Sequence, residues 1–378
     1  MKIAIEAQRI FRMNKHGMDF VALETIRELQ KLDIENEYFI IVSPGEDRSV
    51  LKETPNFHII EKKCRIYPIW EQIMLPLAIR KIKPDLLHCT SNTAPIFCNT
   101  PIVLTLHDII FLEKRNSPSK SFYQNLGWMY RRFVVPRILK KCRKIITVSD
   151  FEATRIREFL NLPPEMIITV YNGYGSNFKK IDDYYNVTSK YLKEKSYLFF
   201  LGNTDPRKNT ERVLRAYSIY IKKSSNPLPL LIAGINETIV KLIIQKEGIG
   251  EIKDFVYAPG YISNSDLPYI YSGAFAFLYP SLREGFGIPI LEAMACGTPL
   301  ITSNVSAMPE VAGDGAIYVD PYKEEEIAEA LLILELDSHR RKEIISKGLE
   351  RVKFFSWEKA AKELLKTYYY VGENKSKN

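Results

Sequence analysis

Short, almost wholly apolar runs alternate along the chain with longer segments whose apolar residues recur every three or four positions. In the first half the runs are Lys2–Ala7, Glu37–Val42, Phe57–Glu61, Leu86–Cys89, Ile102–Leu106, Lys144–Val148 and Ile167–Val170. Continuous rather than alternating hydrophobicity, as in Ile102-Val-Leu-Thr-Leu106, predicts parallel strands covered on both faces. Segments of helical periodicity lie between them, at Phe20–Leu32, Glu71–Lys81, Ser121–Lys141 and Asp150–Leu160. Strand, helix, strand in succession implies right-handed βαβ units.

The pattern breaks between about 171 and 196, where Asn172-Gly173, Gly175 and the polar run Lys179-Lys-Ile-Asp-Asp-Tyr-Tyr185 signal irregular connection. It then restarts. Strands are expected at Tyr197–Leu201, Pro229–Ala233, Phe255–Ala258, Phe275–Leu278, Leu300–Thr302 and Ala316–Val319. Helices are expected at Thr210–Lys222, Glu237–Glu247, Ser265–Ser272, Pro289–Cys296, Glu324–Leu336, Arg341–Val352 and Trp357–Tyr370. The fold class is therefore α/β: two Rossmann-like, doubly wound domains with an interdomain cleft, where open α/β sheets bind ligands beyond the carboxyl ends of their strands. The expected division is 1–180, 190–352, and a C-terminal helix in 353–378 that crosses back to the first domain.

Length and composition agree with this picture. A chain of 378 residues with 46 % apolar and 26 % charged residues suits two ordinary globular domains. With 22 Tyr and 19 Phe there is material for large cores, and only the tail Glu373–Asn378 has little to bury. The five cysteines are scattered, with no CxxC pair and no zinc-ligand spacing, which fits a reduced compartment. The start reads as a strand rather than a leader, and no apolar run approaches the ~18 residues of a membrane span. A cytoplasmic protein is expected. The net charge of +8 is uneven: residues 1–180 hold 28 Lys+Arg against 19 Asp+Glu, and the remainder 25 against 26. A basic first half can face nucleic acid, anionic lipid or an anionic small substrate.

Chemistry concentrates in Glu284-Gly-Phe-Gly-Ile-Pro-Ile-Leu-Glu292. Pro289 suits the start of a helix, and Gly297 with Pro299 suits its end. A tight Gly-Phe-Gly turn then delivers the positive end of a helix, whose first N–H groups have no partner inside it. Such a terminus binds phosphate or hydroxyl oxygens. Carboxylates on either side accept hydrogen bonds from sugar hydroxyls. On the residues alone, an ordinary strand–turn–helix with solvated glutamates remains equally open. A second candidate is Gly202-Asn-Thr-Asp-Pro-Arg-Lys-Asn209 after the first strand of the second half. It is either a basic turn capping a helix through Asn209 or Thr210, or a diphosphate site built on Lys208 and Arg207. His107, with Asp108 placed to fix its tautomer, ends the strand Ile102–Leu106. Ser149 or Asp150 reads as a helix cap. The basic, aromatic segment Trp128–Lys144, interrupted by Pro136, either packs its apolar side on the sheet or lies on anionic lipid.

The glutamate segment, continuing through Ile301-Thr-Ser-Asn-Val-Ser-Ala-Met-Pro-Glu-Val-Ala-Gly-Asp-Gly-Ala to Val319-Asp-Pro321, resembles the E-x7-E signature of the GT-B retaining glycosyltransferases of group 1, with mannosyltransferase-like wording. The resemblance covers most of the second domain. It implies that Glu284 lies by the transferred sugar and the reacting centre. It places Glu292 on the ribose hydroxyls, and the backbone of Gly285, Phe286, Gly287 and Ile288 on sugar hydroxyls. Lys208 matches the family's phosphate-binding lysine. Asn203 stands where many members carry arginine, which Arg207 would replace. His107 matches the histidine that contacts the donor sugar. Of the glycine-rich loop before the first helix only Gly17 matches, with Lys15 or His16 beside it as cations for the phosphates. The catalytic set implied is His107, Glu284 and Lys208.

The resemblance further implies a hexosyl transfer, with a lean to mannosyl from GDP-mannose, retaining at the anomeric carbon. The acceptor would be a hydroxyl of a glycan or lipid-linked glycan in cell-surface polysaccharide synthesis. The GDP- or UDP-sugar is a substrate, and no cofactor is expected. No D-x-D triplet occurs, so no metal site is expected, and basic side chains would take the place of an ion. Peripheral contact with the cytoplasmic membrane face is among the expected partners, and nucleic acid is not. Two rivals stand beside this reading: a nucleotide-sugar epimerase on the same fold, and a non-catalytic GT-B binding subunit. A nicotinamide dehydrogenase has no G-x-G-x-x-G to support it, and a P-loop sequence is also absent.

Overall fold

The apolar runs form two separate parallel sheets. The computed structural model describes residues 1–15, 17–113 and 122–374, so His16, Ser121 and the last four residues of the polar tail lie outside the described residues. The chain divides into two compact units, residues 1–172 with 356–378, and residues 173–355.

In the first unit the strands are β1 (Lys2–Glu6), β2 (Glu37–Val42), β3 (Phe57–Glu61), β4 (Leu86–Cys89), β5 (Ile102–Thr105), β6 (Cys142–Thr147) and β7 (Ile167–Thr169). They pair in the order β3-β2-β1-β4-β5-β6-β7, every pair parallel. The strand order reverses between β1 and β4, which makes their carboxyl ends the switch point of this sheet. The helices are α1 (Gly17–Leu32), α2 (Tyr67–Ile69), α3 (Leu75–Ile82), α4 (Phe122–Ile138) and α5 (Asp150–Leu160). A π-helical turn, Trp70–Met74, joins α2 to α3 in one continuous rod. The helix expected at Glu71–Lys81 covers the later part of this rod and omits Tyr67–Trp70, and apolar spacing does not show the wider turn. Ser149, not Asp150, caps α5, its hydroxyl accepting the Glu152 N–H at 3.1 Å.

The second unit contains α6 (Tyr185–Thr188), β8 (Tyr197–Leu201), α7 (Thr210–Lys223), β9 (Leu230–Ala233), α8 (Glu237–Glu247), β10 (Val256–Gly260), α9 (Leu267–Gly273) and β11 (Ala274–Tyr279). It continues with α10 (Ile288–Ala295), β12 (Leu300–Ser303), α11 (Met308–Ala312), β13 (Ala316–Val319), α12 (Glu324–Leu336) and α13 (Ser338–Val352). Its sheet runs β10-β9-β8-β11-β12-β13, again wholly parallel, with the reversal between β8 and β11. Leu198, Phe200, Leu230, Ile232 and Leu278 of the strands share one core with Val213, Leu214 and Tyr217 of α7 and Ile327 and Leu331 of α12.

The last helix, α14 (Trp357–Glu373), belongs to the first unit. Trp357, Ala360, Ala361, Leu364, Thr367, Tyr368 and Val371 recur at helical spacing and are all buried. Burying Leu364 and Tyr368 stabilises this docking by about 1.5–3 kcal/mol per side chain. The Tyr368 hydroxyl pairs with His88 Nδ1 at 2.7 Å, and His88 Nε2 pairs with Thr105 Oγ1 at 2.7 Å. Burial drives the His88 imidazole down to about 3, so it is neutral at physiological pH.

Candidate active site

The loops that carry the glutamate segment and Lys208 leave the two strands that flank the switch point of the second sheet. Lys208 follows β8 and Glu284 follows β11, and these strands are hydrogen-bonded neighbours. Residues 76 positions apart are thereby brought into contact. Lys208 Nζ donates to Glu284 Oε1 at 2.7 Å and to the Tyr279 hydroxyl at 3.3 Å, and lies 5.3 Å from the Tyr279 ring centre. Burial and the Glu284 charge raise the Tyr279 phenol far above its ordinary range, so it stays protonated.

The β8 loop is stiff. Gly202 has no room for a side chain, since a Cβ would lie 2.6 Å from Ile232. Asn203 shapes the turn: its side-chain oxygen accepts the Asp205 N–H at 2.8 Å, and its backbone is tied to the Thr210 hydroxyl. The Asp205 carboxylate caps the short turn Pro206–Lys208 and binds the Arg207 guanidinium, Nη2 to Oδ2 at 2.5 Å. Arg207, proposed from sequence as a second phosphate cation, is therefore already paired with a carboxylate. Asn209 does not cap α7 with its side chain. Its amide donates instead to the carbonyls of Pro280 at 2.9 Å and Pro321 at 2.7 Å, tying three loops together. The Leu282 N–H to the Arg207 carbonyl, 2.7 Å, adds a direct tie between the two site loops.

Glu284 is fixed by its own backbone. The Ser306 hydroxyl accepts the Glu284 N–H at 3.1 Å and donates to the Glu284 carbonyl at 2.7 Å. Gly287 then adopts φ 103°, a left-handed conformation that favours glycine, and opens α10 at Ile288 with Pro289 second. The first N–H groups of α10 have no partner inside the helix. Glu292 sits one turn into α10, where the Tyr271 hydroxyl donates to Oε2 at 3.2 Å. Burial pushes its carboxyl up to about 7. A group that ionises near neutrality can accept hydrogen bonds from vicinal hydroxyls once a ligand brings donors to it.

In the first unit, His107 is buried just beyond β5. Its backbone N–H donates to Asn92 Oδ1 at 2.7 Å, and its ring Nε2 lies 2.9 Å from the Thr90 carbonyl. A carbonyl only accepts, so Nε2 carries the proton and Nδ1 keeps a lone pair. Burial lowers the imidazole, favouring this neutral form. The tautomer is thus set by Thr90 and not, as expected from sequence, by Asp108, whose Oδ1 accepts the Ile110 N–H at 3.0 Å. At Gly17, which opens α1, a would-be Cβ meets nothing within 4 Å among the described residues. Lys15 is held by Asp47 at 2.5 Å and by the Arg12 carbonyl at 2.8 Å, so its charge is already engaged. His16 lies outside the described residues.

A buried acidic pair that no sequence motif marks, Glu6 and Glu71, lies in the first unit. Glu6 ends β1, accepting the N–H groups of Gln8 at 3.0 Å and Thr90 at 3.2 Å. Glu71, in the π-helical turn, is held by the hydroxyls of Tyr67, Thr93 and Tyr130 and by the Gln72 amide. Burial pushes the Glu6 carboxyl up to about 7, and the neighbouring Glu71 adds to the rise. The available signal was a lone glutamate at the end of the apolar strand Lys2-Ile-Ala-Ile-Glu6.

Residues 187–351 match the family model for glycosyl transferases group 1, and residues 16–176 match that for glycosyltransferase family 4. The O-antigen chain mannosyltransferase RfbU of Salmonella typhimurium is 30 % identical over 271 residues, 71 % of this chain and 70 % of that protein. The chain belongs to the group 1 glycosyltransferases. O-antigen chain mannosyltransferase B of Escherichia coli is 34 % identical over 233 residues, a match spanning 61 % of each chain. Solved structures share the whole fold at low identity. Sucrose-phosphate synthase from Thermosynechococcus elongatus has a TM-score of 0.75 at 18 % identity, covering 98 % of both chains. Anabaena HepE in complex with UDP-glucose has a TM-score of 0.74 at 16 % identity, covering 98 % of this chain and 100 % of that one. The architecture is therefore GT-B. No helix among the described residues is long and apolar enough to cross a membrane.

Proposed function

We propose that this glycosyltransferase moves a mannosyl unit from GDP-mannose to a hydroxyl of a glycan or lipid-linked glycan, with retention at the anomeric carbon and without a metal ion, in cell-surface polysaccharide assembly at the cytoplasmic face of the membrane. The observation that carries the reading is the Lys208–Glu284 pair on adjacent strands at the switch point, beside the amino end of α10. The mannosyl and O-antigen assignments draw on the relatives RfbU and mannosyltransferase B.

In the proposed reaction the bond from the anomeric carbon to the phosphate oxygen breaks, and the acceptor oxygen bonds to the same face. Negative charge grows on the departing diphosphate. Lys208 and the amides of Gly287 and Ile288 stabilise that charge, and such fixed electrostatics is usually the largest catalytic contribution. Glu292 takes the ribose hydroxyls. His107, held neutral with Nδ1 as acceptor, is suited to a sugar hydroxyl. Asn203 and Arg207 order the phosphate loop, and Gly17 leaves the start of α1 uncrowded.

A thermal-shift screen of GDP-, UDP- and ADP-sugars tests the donor. Ligand at 100 times its Kd stabilises by about 2.7 kcal/mol. GDP-mannose should give the largest rise, and Glu292→Ala should abolish it. A larger rise with a UDP-sugar would replace the guanine assignment, and no rise with any of them would remove the site.

A further inference from the structure

The first unit carries an exposed apolar face that its own fold does not use. On the rod formed by α2, the π-helical turn and α3, the outward positions are Ile69, Ile73, Leu77 and Arg80, with Ile66 exposed just before it. On α4 and the turn that follows it they are Leu126, Met129, Phe133, Arg137 and Lys140. Both sets recur every three or four residues, and all ten positions are exposed. Ile73, Leu77, Met129 and Phe133 are 51, 52, 59 and 53 % exposed, although their helices bury other faces completely. Val134, Val135 and Ile138 of α4 pack into the core, so the apolar character of this segment is double-sided. The packing reading of Trp128–Lys144 holds for the face that carries these three residues.

A hydrogen-bonded seam sets the two stripes side by side. Gln72 Nε2 donates to the Tyr130 hydroxyl at 2.8 Å, and the rings of Tyr67 and Tyr130 meet edge to face at 6.0 Å. Phe97, 80 % exposed, extends the patch near Lys141, whose Nζ lies 5.5 Å from its ring. The charge is one-sided. Between 125 and 149 there are seven Lys and Arg and no acidic residue. Between 62 and 84 there are six, against the single buried Glu71. A second copy of the chain would bring this positive face against itself. Aliphatic residues rimmed by cations match an anionic bilayer, where the apolar tips enter the acyl boundary and the cations meet the headgroups.

We infer that the first unit docks on an anionic lipid surface through the paired outer faces of α2–α3 and α4, with Ile69, Ile73, Met129 and Phe133 inserting and Arg80, Arg137 and Lys140 meeting lipid phosphates. The surface deepens the membrane-face setting proposed above. It is tested without donor or acceptor, so its failure leaves the transferase reading standing.

The test is co-sedimentation of the full chain with vesicles of phosphatidylcholine alone or mixed two to one with phosphatidylglycerol. The wild type should pellet with the anionic vesicles only, and less at high salt. Ile73→Ser/Phe133→Ser and Arg137→Glu/Lys140→Glu should each lower the partition coefficient about tenfold or more. Both variants should keep the wild-type melting temperature, since they alter only exposed positions. Equal binding to both vesicle types, or undiminished binding by both variants, would overturn the inference. A lipid-free dimer in sedimentation velocity that the variants abolish would also overturn it, by assigning the face to self-association.

Discussion

Removing Lys208 should cost this protein twice, once in stability and once in turnover, and both losses should be shared with Glu284. The pair is charge-assisted and short at 2.7 Å, with the two side chains 29 % and 15 % exposed. A hydrogen bond between charged groups contributes about 1.5–3 kcal/mol, and the partial exposure screens this to about 1–2 kcal/mol. Lys208→Ala leaves Glu284 with its backbone still clamped by Ser306 but its carboxylate without the ammonium. The unit concerned spans residues 173–355, a size at which each kcal/mol moves the melting temperature by about 2–4 °C. A fall of about 2–8 °C is expected. Glu284→Ala should cost less, because Lys208 can turn to solvent. In a double-mutant cycle the melts should show a coupling of about 1–2 kcal/mol. Transfer should slow by about 10²–10³-fold in Lys208→Ala, the loss seen when one preorganised donor is removed from a developing anion. The double variant should be little slower than the worse single, because groups acting as a unit are not additive. Stability changes that add to within about 0.5 kcal/mol, with rates that multiply, would refute the claim that the two side chains form one functional pair.

Two further predictions concern single positions. Glu6 titrates near 7 in the fold against about 4.5 when unfolded, so between those values the unfolded chain releases a proton that the folded chain keeps. Stability from this group is present below about 4.5 and lost as pH rises through about 7, on the order of 3 kcal/mol. Glu6→Gln should flatten the melting-temperature profile over that window, and an unchanged profile would show that the burial of Glu6 has no such effect. Gly287→Ala places a Cβ at φ 103° and 3.1 Å from Ile290 Cδ1, at a cost of about 1–3 kcal/mol. Donor titration should show weaker binding with the melt lowered by a few degrees, and a neutral substitution would mean the turn need not be left-handed.

Much of the framework was legible because the chain states it locally. Continuous apolar runs marked the strands, and Glu37–Val42, Phe57–Glu61 and Ala316–Val319 begin and end where the pattern says. Pro289 and Gly297 bracketed α10 for the same reason. What escaped notice depends on partners distant in sequence or on backbone atoms. The Thr90 carbonyl that sets the His107 tautomer presents no side-chain signature. Ser306 reaches Glu284 from 22 residues away, and Asp205 claims Arg207 through a turn whose direction only the fold reveals. The π-helical turn that holds Glu71 breaks the 3.6-residue period by one residue, too small a signal to see in one sequence. The short α11 hides in a Ser-, Met- and Gly-containing stretch that reads equally well as loop.

In the proposed function the Lys208–Glu284 constellation transfers a mannosyl unit with retention. Proton NMR of the anomeric signals tests it most directly, following GDP-mannose with a mannosyl acceptor in the wild type and in Glu284→Gln. The donor should be consumed only when acceptor is present. The new glycoside should have the donor's own anomeric configuration, and the variant should bind the donor without turning it over. Conversion of the donor to another free sugar nucleotide without acceptor, an inverted product, or undiminished transfer by Glu284→Gln would contradict it.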